Sequence, residues 1–470
     1  MRRRDFFQHT SLGLIGTGFL GNKILQPNEF DFRKGKKPKN IIFMVSDGMS
    51  NGTLNMASLL RQQMEGKQSN WLELYDQQLV SRALMDMASA SSFITDSAAA
   101  SSSWGGGVRV KNGSLNTNPD GTPNKPILQK FKNAGKAVGC VTTVPITHAT
   151  PAGFSITNNK RGDQSEIALQ YLPLKFDVMM GGGDNYFSAE LRKDKQDVYK
   201  LFSDNGYEVL KNRTQLLATP ATIGKPVLGV FHGDGLPFAL DRKSSKTLME
   251  KTPSLAEMAD SAIQILKQNG KGFVLQIEAG KVDWAAHSND TGGILYDQLA
   301  FDDAIKVVMD FAQKNKDTLV VITTDHGNAN PGLFYGEKAN KNFDKIQQFK
   351  QTNDWFLNGL NKESSIAQII ERHEATTTFA IKPEEAKIIQ NAYTNLNEEG
   401  TYNAYKLPYK ALGQIQSNYT SVAWAGIDHS ADYVELAMYG PGSEVLKPFM
   451  KNTEMHNFLL KAADVNELVK

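Results

Sequence analysis

Two short bursts of acids and imidazoles stand between residues 278 and 326. One reads E-A-G-K-V-D-W-A-A-H, with Glu278, Asp283 and His287; the other reads T-D-H-G, with Asp325 and His326. Each follows a run with strand character, G-F-V-L-Q-I before the first and T-L-V-V-I-T before the second. Carboxylates just past buried strands carry a heavy desolvation cost unless a cation compensates them. The pattern points to a metal centre with more than one ion. Asp283 and His287 are four residues apart and share one face of a helical turn. Glu278, nearer its strand end, is expected to reach a different ion. Asp325 and His326 are adjacent in a loop, so their side chains are expected to diverge.

Other stretches offer partners. Asp47 follows the first strand in V-S-D-G-M-S, beside Gly48, where an ion can approach without steric hindrance; taken alone, it serves equally well as a turn or capping residue. In F-I-T-D-S-A-A-A-S-S-S-W, Asp96 and Ser97 lead an alanine-rich run, so Ser97 falls at or near a helix N-terminus, which favours an anion. No Ser/His/Asp spacing supplies a base for Ser97, and a bound metal would lower its pKa instead. The alternative is that Asp96 or Ser97 simply caps the helix. In T-H-A-T-P-A-G-F-S-I-T-N-N-K-R-G, His148 and Thr150 are expected in extended or turn geometry before Pro151, facing one site. Thr150 is a hard-oxygen ligand suited to magnesium. Arg161 is a candidate fork for phosphate or sulfate, or else an ordinary solvated arginine beside Lys160. His429, in W-A-G-I-D-H-S-A-D-Y, adds an imidazole just before a strand. The remaining histidines (His9, His232, His373 and His456) lack an acidic partner at metal spacing and read as structural.

Positioning these groups falls to a series of buried-type strands: N-I-I-F-M-V at 40–45, V-G-C-V-T-T-V at 138–144, F-D-V-M-M at 176–180, V-L-G-V-F at 227–231, G-F-V-L-Q-I at 272–277 and T-L-V-V-I-T at 318–323. Helical patterns lie between them, at 127–134, 254–268 and 295–314. This alternation predicts an α/β fold: an open, mostly parallel sheet with helices on both faces. Ligand sites in such sheets lie beyond the C-terminal strand ends, where the polar motifs fall. From about Gly332 to Ser421 the chain is rich in Lys, Asn, Gln and Tyr. That stretch reads as a polar insertion over the catalytic face, before Y-V-E-L-A-M-Y-G-P-G closes the sheet. Residues 37–470 are expected to form a single catalytic domain.

The chain has 470 residues, with 52 Lys plus Arg against 50 Asp plus Glu, so its net charge of +2 creates no strong field. Nucleic acid and anionic membrane are therefore not favoured partners. The single cysteine, Cys140, excludes an internal disulfide framework and reads as a buried small hydrophobe. The N-terminus, M-R-R-R-D-F-F-Q-H-T-S-L-G-L-I-G-T-G-F-L, resembles a twin-arginine export signal, with residues 1–36 as signal and linker. Its apolar run is too short to span a bilayer comfortably, so no stable membrane anchor is expected. The expected destination is the periplasm or beyond. A basic tail before an ordinary helix is the plainer alternative.

Together these residues resemble the alkaline phosphatase family, from Asn40 to Gly442. The motifs that carry the resemblance are D-G-M after the first strand, T-D-S-A-A-A, A-T-P-A followed by an arginine, E-x-x-x-x-D-x-x-x-H, and T-D-H, in that order. The resemblance implies hydrolysis of small phosphate monoesters through a transient phosphoserine, with two zinc ions and one magnesium. It implies Ser97 as nucleophile and Arg161, eleven residues after Thr150, as phosphate clamp. Asp283, His287 and His429 would hold the zinc on the leaving-group side. Asp47, Asp325 and His326 would hold the zinc that activates Ser97, and Asp47, Thr150 and Glu278 would bind magnesium. It also favours a homodimer.

Two positions depart from the commonest family pattern. His148 stands where some bacterial members have Asp, although animal members carry His; Trp284 stands where Lys or His is common. Both belong to the surroundings of magnesium and phosphate, and a third zinc or cobalt could take the magnesium place. Among rivals with the same frame, a sulfatase needs a C/S-x-P-x-R setting that D-S-A-A-A-S does not provide. Phosphodiesterases generally carry Thr as nucleophile without the Arg161 clamp, which leaves diester cleavage as a side activity. An exported metal- or phosphate-binding protein without turnover would not need Ser97 and Arg161 beside the metal positions.

Overall fold

The computed structural model describes residues 30, 32, 35–220, 224–393 and 407–465. The arginine-led N-terminal stretch, expected to act as an export signal, lies outside them. The described strands, in chain order, are β1 (Asn40–Ser46), β2 (Ser81–Asp86), β3 (Ala137–Pro145), β4 (Val178–Gly182), β5 (Glu208–Leu210), β6 (Val227–Val230) and β7 (Phe273–Ala279). They continue with β8 (Thr318–Thr323), β9 (Gly327–Asn328), β10 (Pro331–Leu333), β11 (Val422–Trp424), β12 (His429–Ser430), β13 (Val434–Tyr439) and β14 (Phe449–Lys451). Ten of them form one sheet in the order β14-β2-β13-β8-β1-β7-β3-β4-β6-β5. Every pairing is parallel except those of β13, which runs antiparallel to both β8 and β2. The sheet is open, mostly parallel and flanked by helices, as the strand–helix alternation predicts.

The central strands are buried on both faces. Along β1, Ile42 and Met44 pack into one apolar cluster, while Ile41, Phe43 and Val45 pack into the other. Alternate side chains of a strand point to opposite faces, so the two clusters are the two sides of the sheet. Cys140 on β3 is buried in the second. The Leu255–Leu266 helix covers the first face with Leu255, Met258, Ala262, Ile263 and Leu266, and its start is fixed by a Ser254–Glu257 capping box. No described helix is long and apolar enough to cross a membrane.

Register then brings the polar motifs together. Val45 lies opposite Glu278 on one side and Thr323 on the other, and Glu278 is in turn opposite Thr142 of β3. Asp47, Glu278 and Asp325 therefore emerge from three adjacent strands at nearly the same height.

Two expectations need correction. The Y-V-E-L-A-M-Y run does not close the sheet at an edge, because β13 is inserted between β8 and β2, with β14 beyond. The stretch from Gly332 to Ser421 is less polar than its composition suggests. Its described helices include Asn353–Asn358, Ile366–Thr377, Pro383–Tyr393 and Tyr409–Thr420, and they enclose an apolar cluster of their own that contains Phe356, Leu357, Ile369, Ile389 and Leu412. Short amphipathic helices show a polar majority in composition while burying one apolar stripe. This unit docks on the chain just after His287. The Asn353 N–H donates to Asp290 Oδ2 (2.6 Å), and the Asn353 amide donates to the Asn289 carbonyl (3.3 Å).

Candidate active site

Ser97 is the first residue of the Ser97–Gly106 helix. The cap belongs to Asp96, whose Oδ1 accepts the Ala99 N–H at 2.9 Å. Ser97 Oγ is thus free of capping duty. It is 1% exposed and lies 3.3 Å from His326 Nε2. The same imidazole nitrogen is 3.4 Å from Asp47 Oδ1 and 3.2 Å from Asp325 Oδ2. The expectation that Asp325 and His326 diverge is therefore wrong. The Thr324 hydroxyl donates to the His326 carbonyl (2.9 Å), and the Gly48 N–H donates to Asp325 Oδ1 (3.0 Å). That local turn and cross-strand bond aim both side chains inward.

Asp283 and His287 share a face of the Lys281–His287 helix, as their spacing predicts. His287 Nε2 is 3.5 Å from Asp283 Oδ2, and His429 Nε2 is 3.5 Å from Asp283 Oδ1. The tautomers follow from the other ring nitrogens. His287 Nδ1 meets the Ile427 carbonyl at 2.6 Å, and His429 Nδ1 meets the Thr95 carbonyl at 2.9 Å. A carbonyl only accepts, so each Nδ1 carries a proton and each ring turns its Nε2 inward, where it can carry a second proton or offer a lone pair to a cation. Those two nitrogens are 3.2 Å apart. Two lone pairs at that distance need a proton or a metal cation between them.

A third group forms around Glu278. Asp47, His148 and Glu278 each bring a ligand atom within 4.8 Å of one another. His148, expected in the surroundings of this site, stands close to both acids. His148 keeps an extended backbone, as expected, whereas Thr150 is already helical. His148 is the N-cap and Thr150 the second residue of the helix Ala149–Ser155, where Pro151 fits because the first-turn N–H groups have no helical acceptor. Arg161 joins the groups, donating from Nη1 to Asp96 Oδ2 and from Nη2 to His148 Nε2, both at 3.0 Å. Trp284 stands edge-on to the His148 ring, with centroids 6.0 Å apart, and carries the Lys281 ammonium 4.4 Å above its own ring.

The donor set fits metal ions. Both oxygens of Asp47, Glu278 Oε1, Asp325 Oδ2 and Thr150 Oγ1 are buried without a hydrogen-bond partner. Orphaned acceptors of this kind are rare unless an ion takes them up. Burial, then the neighbouring Asp325, Asp283 and Glu278 carboxylates, push the Asp47 carboxyl well above the usual range. Burial pushes Glu278 up to about 7 against the Thr142 hydroxyl that donates to it. Burial would also raise Asp283, but the His287 and His429 imidazoles outweigh it and hold Asp283 well below the usual range. Burial would lower His429, yet the Asp283 carboxylate pushes it up to about 9. Burial, then the Arg161 guanidinium, lower His148 to about 3, so its ring is neutral and can accept from Arg161.

The residues singled out from sequence as metal, nucleophile and phosphate groups (Asp47, Ser97, Thr150, Arg161, Glu278, Asp283, His287, Asp325, His326 and His429) thus meet beyond the C-terminal ends of β1, β3, β7 and β8. Thr142 and the second role of Asp96, holding Arg161, escaped the sequence reading. A threonine inside a strand and an aspartate at a helix start have common structural explanations, so neither gave a signal. Of the histidines read as structural, His373 bonds the Phe379 carbonyl (3.1 Å) and His456 the Trp104 carbonyl (2.9 Å). His232 belongs to none of the three groups, and His9 lies outside the described residues.

A family model described as alkaline phosphatase matches residues 38–465. Alkaline phosphatase 4 of Bacillus subtilis is 31% identical over 453 residues, spanning 94% of this chain and 93% of that protein. Alkaline phosphatase of Escherichia coli is 28% identical, over 64% of this chain and 72% of that protein. Among solved structures, the alkaline phosphatase of Thermus thermophilus superposes with a TM-score of 0.86 at 29% identity, covering 96% of each chain.

Proposed function

This chain belongs to the alkaline phosphatase family, and from that premise we propose that it hydrolyses small phosphate monoesters to an alcohol and inorganic phosphate through a phosphoserine on Ser97. The observation that carries the proposal is the pair of inward imidazole Nε2 atoms 3.2 Å apart, set beside orphaned carboxylate oxygens and a serine hydroxyl 3.3 Å from His326. Asp283, His287 and His429 would hold one zinc, and Asp47, Asp325 and His326 the other. Asp47, Thr150 and Glu278, with His148 beside them, would hold magnesium, or a third zinc or cobalt. When bound, such ions supply positive charge that lowers the serine pKa and stabilises the entering and leaving oxygens of an in-line displacement.

The chain's own groups do the rest. Ser97 Oγ attacks phosphorus and the alcohol departs; water then attacks the phosphoserine and releases phosphate. The N-terminus of the Ser97–Gly106 helix, where Asp96 takes up the Ala99 N–H, would turn its positive dipole end toward the phosphate. Arg161 offers a planar fork for two phosphate oxygens, and Asp96 and His148 fix its orientation. Trp284, packed on His148, would tune product release and metal preference at the third position. Export by a twin-arginine-type signal to the periplasm or beyond, and assembly as a homodimer, complete the reading. Ser97→Ala should lower turnover of a chromogenic phosphate monoester by about 10⁴-fold or more while zinc content stays at the parent level. Undiminished turnover in that variant would sink the mechanism.

A further inference from the structure

Asn328 is fully buried in β9, two residues after His326. Its Nδ2 donates to Asp283 Oδ1 at 2.7 Å and to the Asp283 carbonyl at 3.3 Å. Its main chain is the ladder partner of His429 across β9 and β12. One residue therefore touches two of the three groups assigned to the leaving-group ion. The orientation of the amide is forced, because the flipped form would set Oδ1 against a carboxylate. The bond is kept even though Oδ1 is left buried without a donor.

We propose that Asn328 is a positioning residue: its amide fixes the rotation of the Asp283 carboxylate, and so sets how tightly Asp283, His287 and His429 hold zinc. The inference rests on the reading that these three share one ion. Asp283 presents Oδ2 to His287 and Oδ1 to His429, each at 3.5 Å, so a rotated carboxylate would lose one of the two alignments. A neutral donor suits the task, since a lysine or arginine would compete with the ion and an aspartate would add repulsion. A purely architectural role explains less. The links from Asn328 to Ser50 Oγ run through its main-chain N–H and carbonyl, both at 3.1 Å, and do not need the side chain.

The test is Asn328→Leu, which keeps the side-chain volume and deletes the donor. Chelator-stripped parent and variant are titrated with zinc against a chromogenic chelator, and kcat and KM are measured on the reloaded enzymes. The expected result is one zinc site weakened about 10- to 100-fold with the other unchanged, and a loss of turnover that excess zinc restores in part. Two affinities equal to the parent's overturn the proposal, as does an equal loss at both sites, which marks general loosening. If the leucine variant does not fold, Asn328→Ala removes the same donor without added bulk and carries the same expectations. A parent chain that shows no pair of zinc sites overturns the underlying reading and this inference with it; a normal parent beside an unaffected variant overturns this inference alone.

Discussion

Asp47 and Asp302 are equally buried, at 0% and 2% exposure, yet their oxygens are in opposite situations. Asp302 accepts from the Asn70 N–H (2.8 Å), the Asn70 side-chain amide (2.8 Å) and the Trp71 N–H (2.9 Å), with Arg61 Nε at 3.3 Å. Asp290 and Asp297 are similar: Asp290 takes the Gly293 and Asn353 N–H groups, and Asp297 takes the Ala239 N–H. In the other region Asp47 has no donor on either oxygen, and Glu278 and Asp325 each keep one oxygen without a partner. A buried acid is thus not evidence of a site by itself. What separates the regions is whether backbone donors have already claimed the oxygens, because an unclaimed buried carboxylate needs a proton or a metal ion.

Paired substitutions should split the regions cleanly. Asp47→Ala removes a carboxylate assigned to two ions, so turnover should fall about 10³-fold or more and metal per chain should drop. Asp302→Ala leaves several buried donors unpaired and should lower stability by roughly 2–4 kcal/mol in denaturant titration. Its folded fraction should keep the parent's metal content and turnover. Loss of metal in the Asp302 variant, or its retention in the Asp47 variant, would erase the distinction.

A smaller effect concerns pH. Burial pushes Asp297 up to about 7, although the Ala239 N–H bond works against it. The folded chain then keeps a proton that the unfolded chain gives up at its ordinary, lower pKa. The stability this contributes is complete below that ordinary value and is lost as pH rises through about 7. Asp297→Asn removes this titration, so the fall in Tm from pH 4 to 8 should be shallower by a few degrees. Identical slopes in parent and variant would show that Asp297 is ionised in the fold.

The sequence made the site legible where structure is locally determined. β1, β3, β7 and β8 are apolar on both faces and stand out as runs, and the Asp283–His287 spacing is faithful to a helical turn. β2 and β14 were illegible for the opposite reason. β2 alternates buried Ala83 and Met85 with exposed Leu84, and β14 has only three residues. The inward turn of Asp325 and His326 depends on bonds from Thr324 and from Gly48, the latter far away in sequence, so adjacency alone misled. The extended reading before Pro151 holds for His148, the last residue before the helix, and fails for Thr150, which lies inside it. Asp96, not Ser97, supplies the helix cap, a distinction of one residue that composition does not carry.

If the unclaimed acids and inward imidazoles form a metal-dependent phosphoryl-transfer site, hydrolysis must follow zinc occupancy. Stepwise addition of zinc to the chelator-stripped chain, with hydrolysis of a chromogenic phosphate monoester followed at each step, tests it most directly. The expected result is no turnover in the stripped chain and recovery that levels off near two zinc per chain, with magnesium raising the plateau further. Full turnover without metal, or zinc binding that never restores hydrolysis, would contradict it.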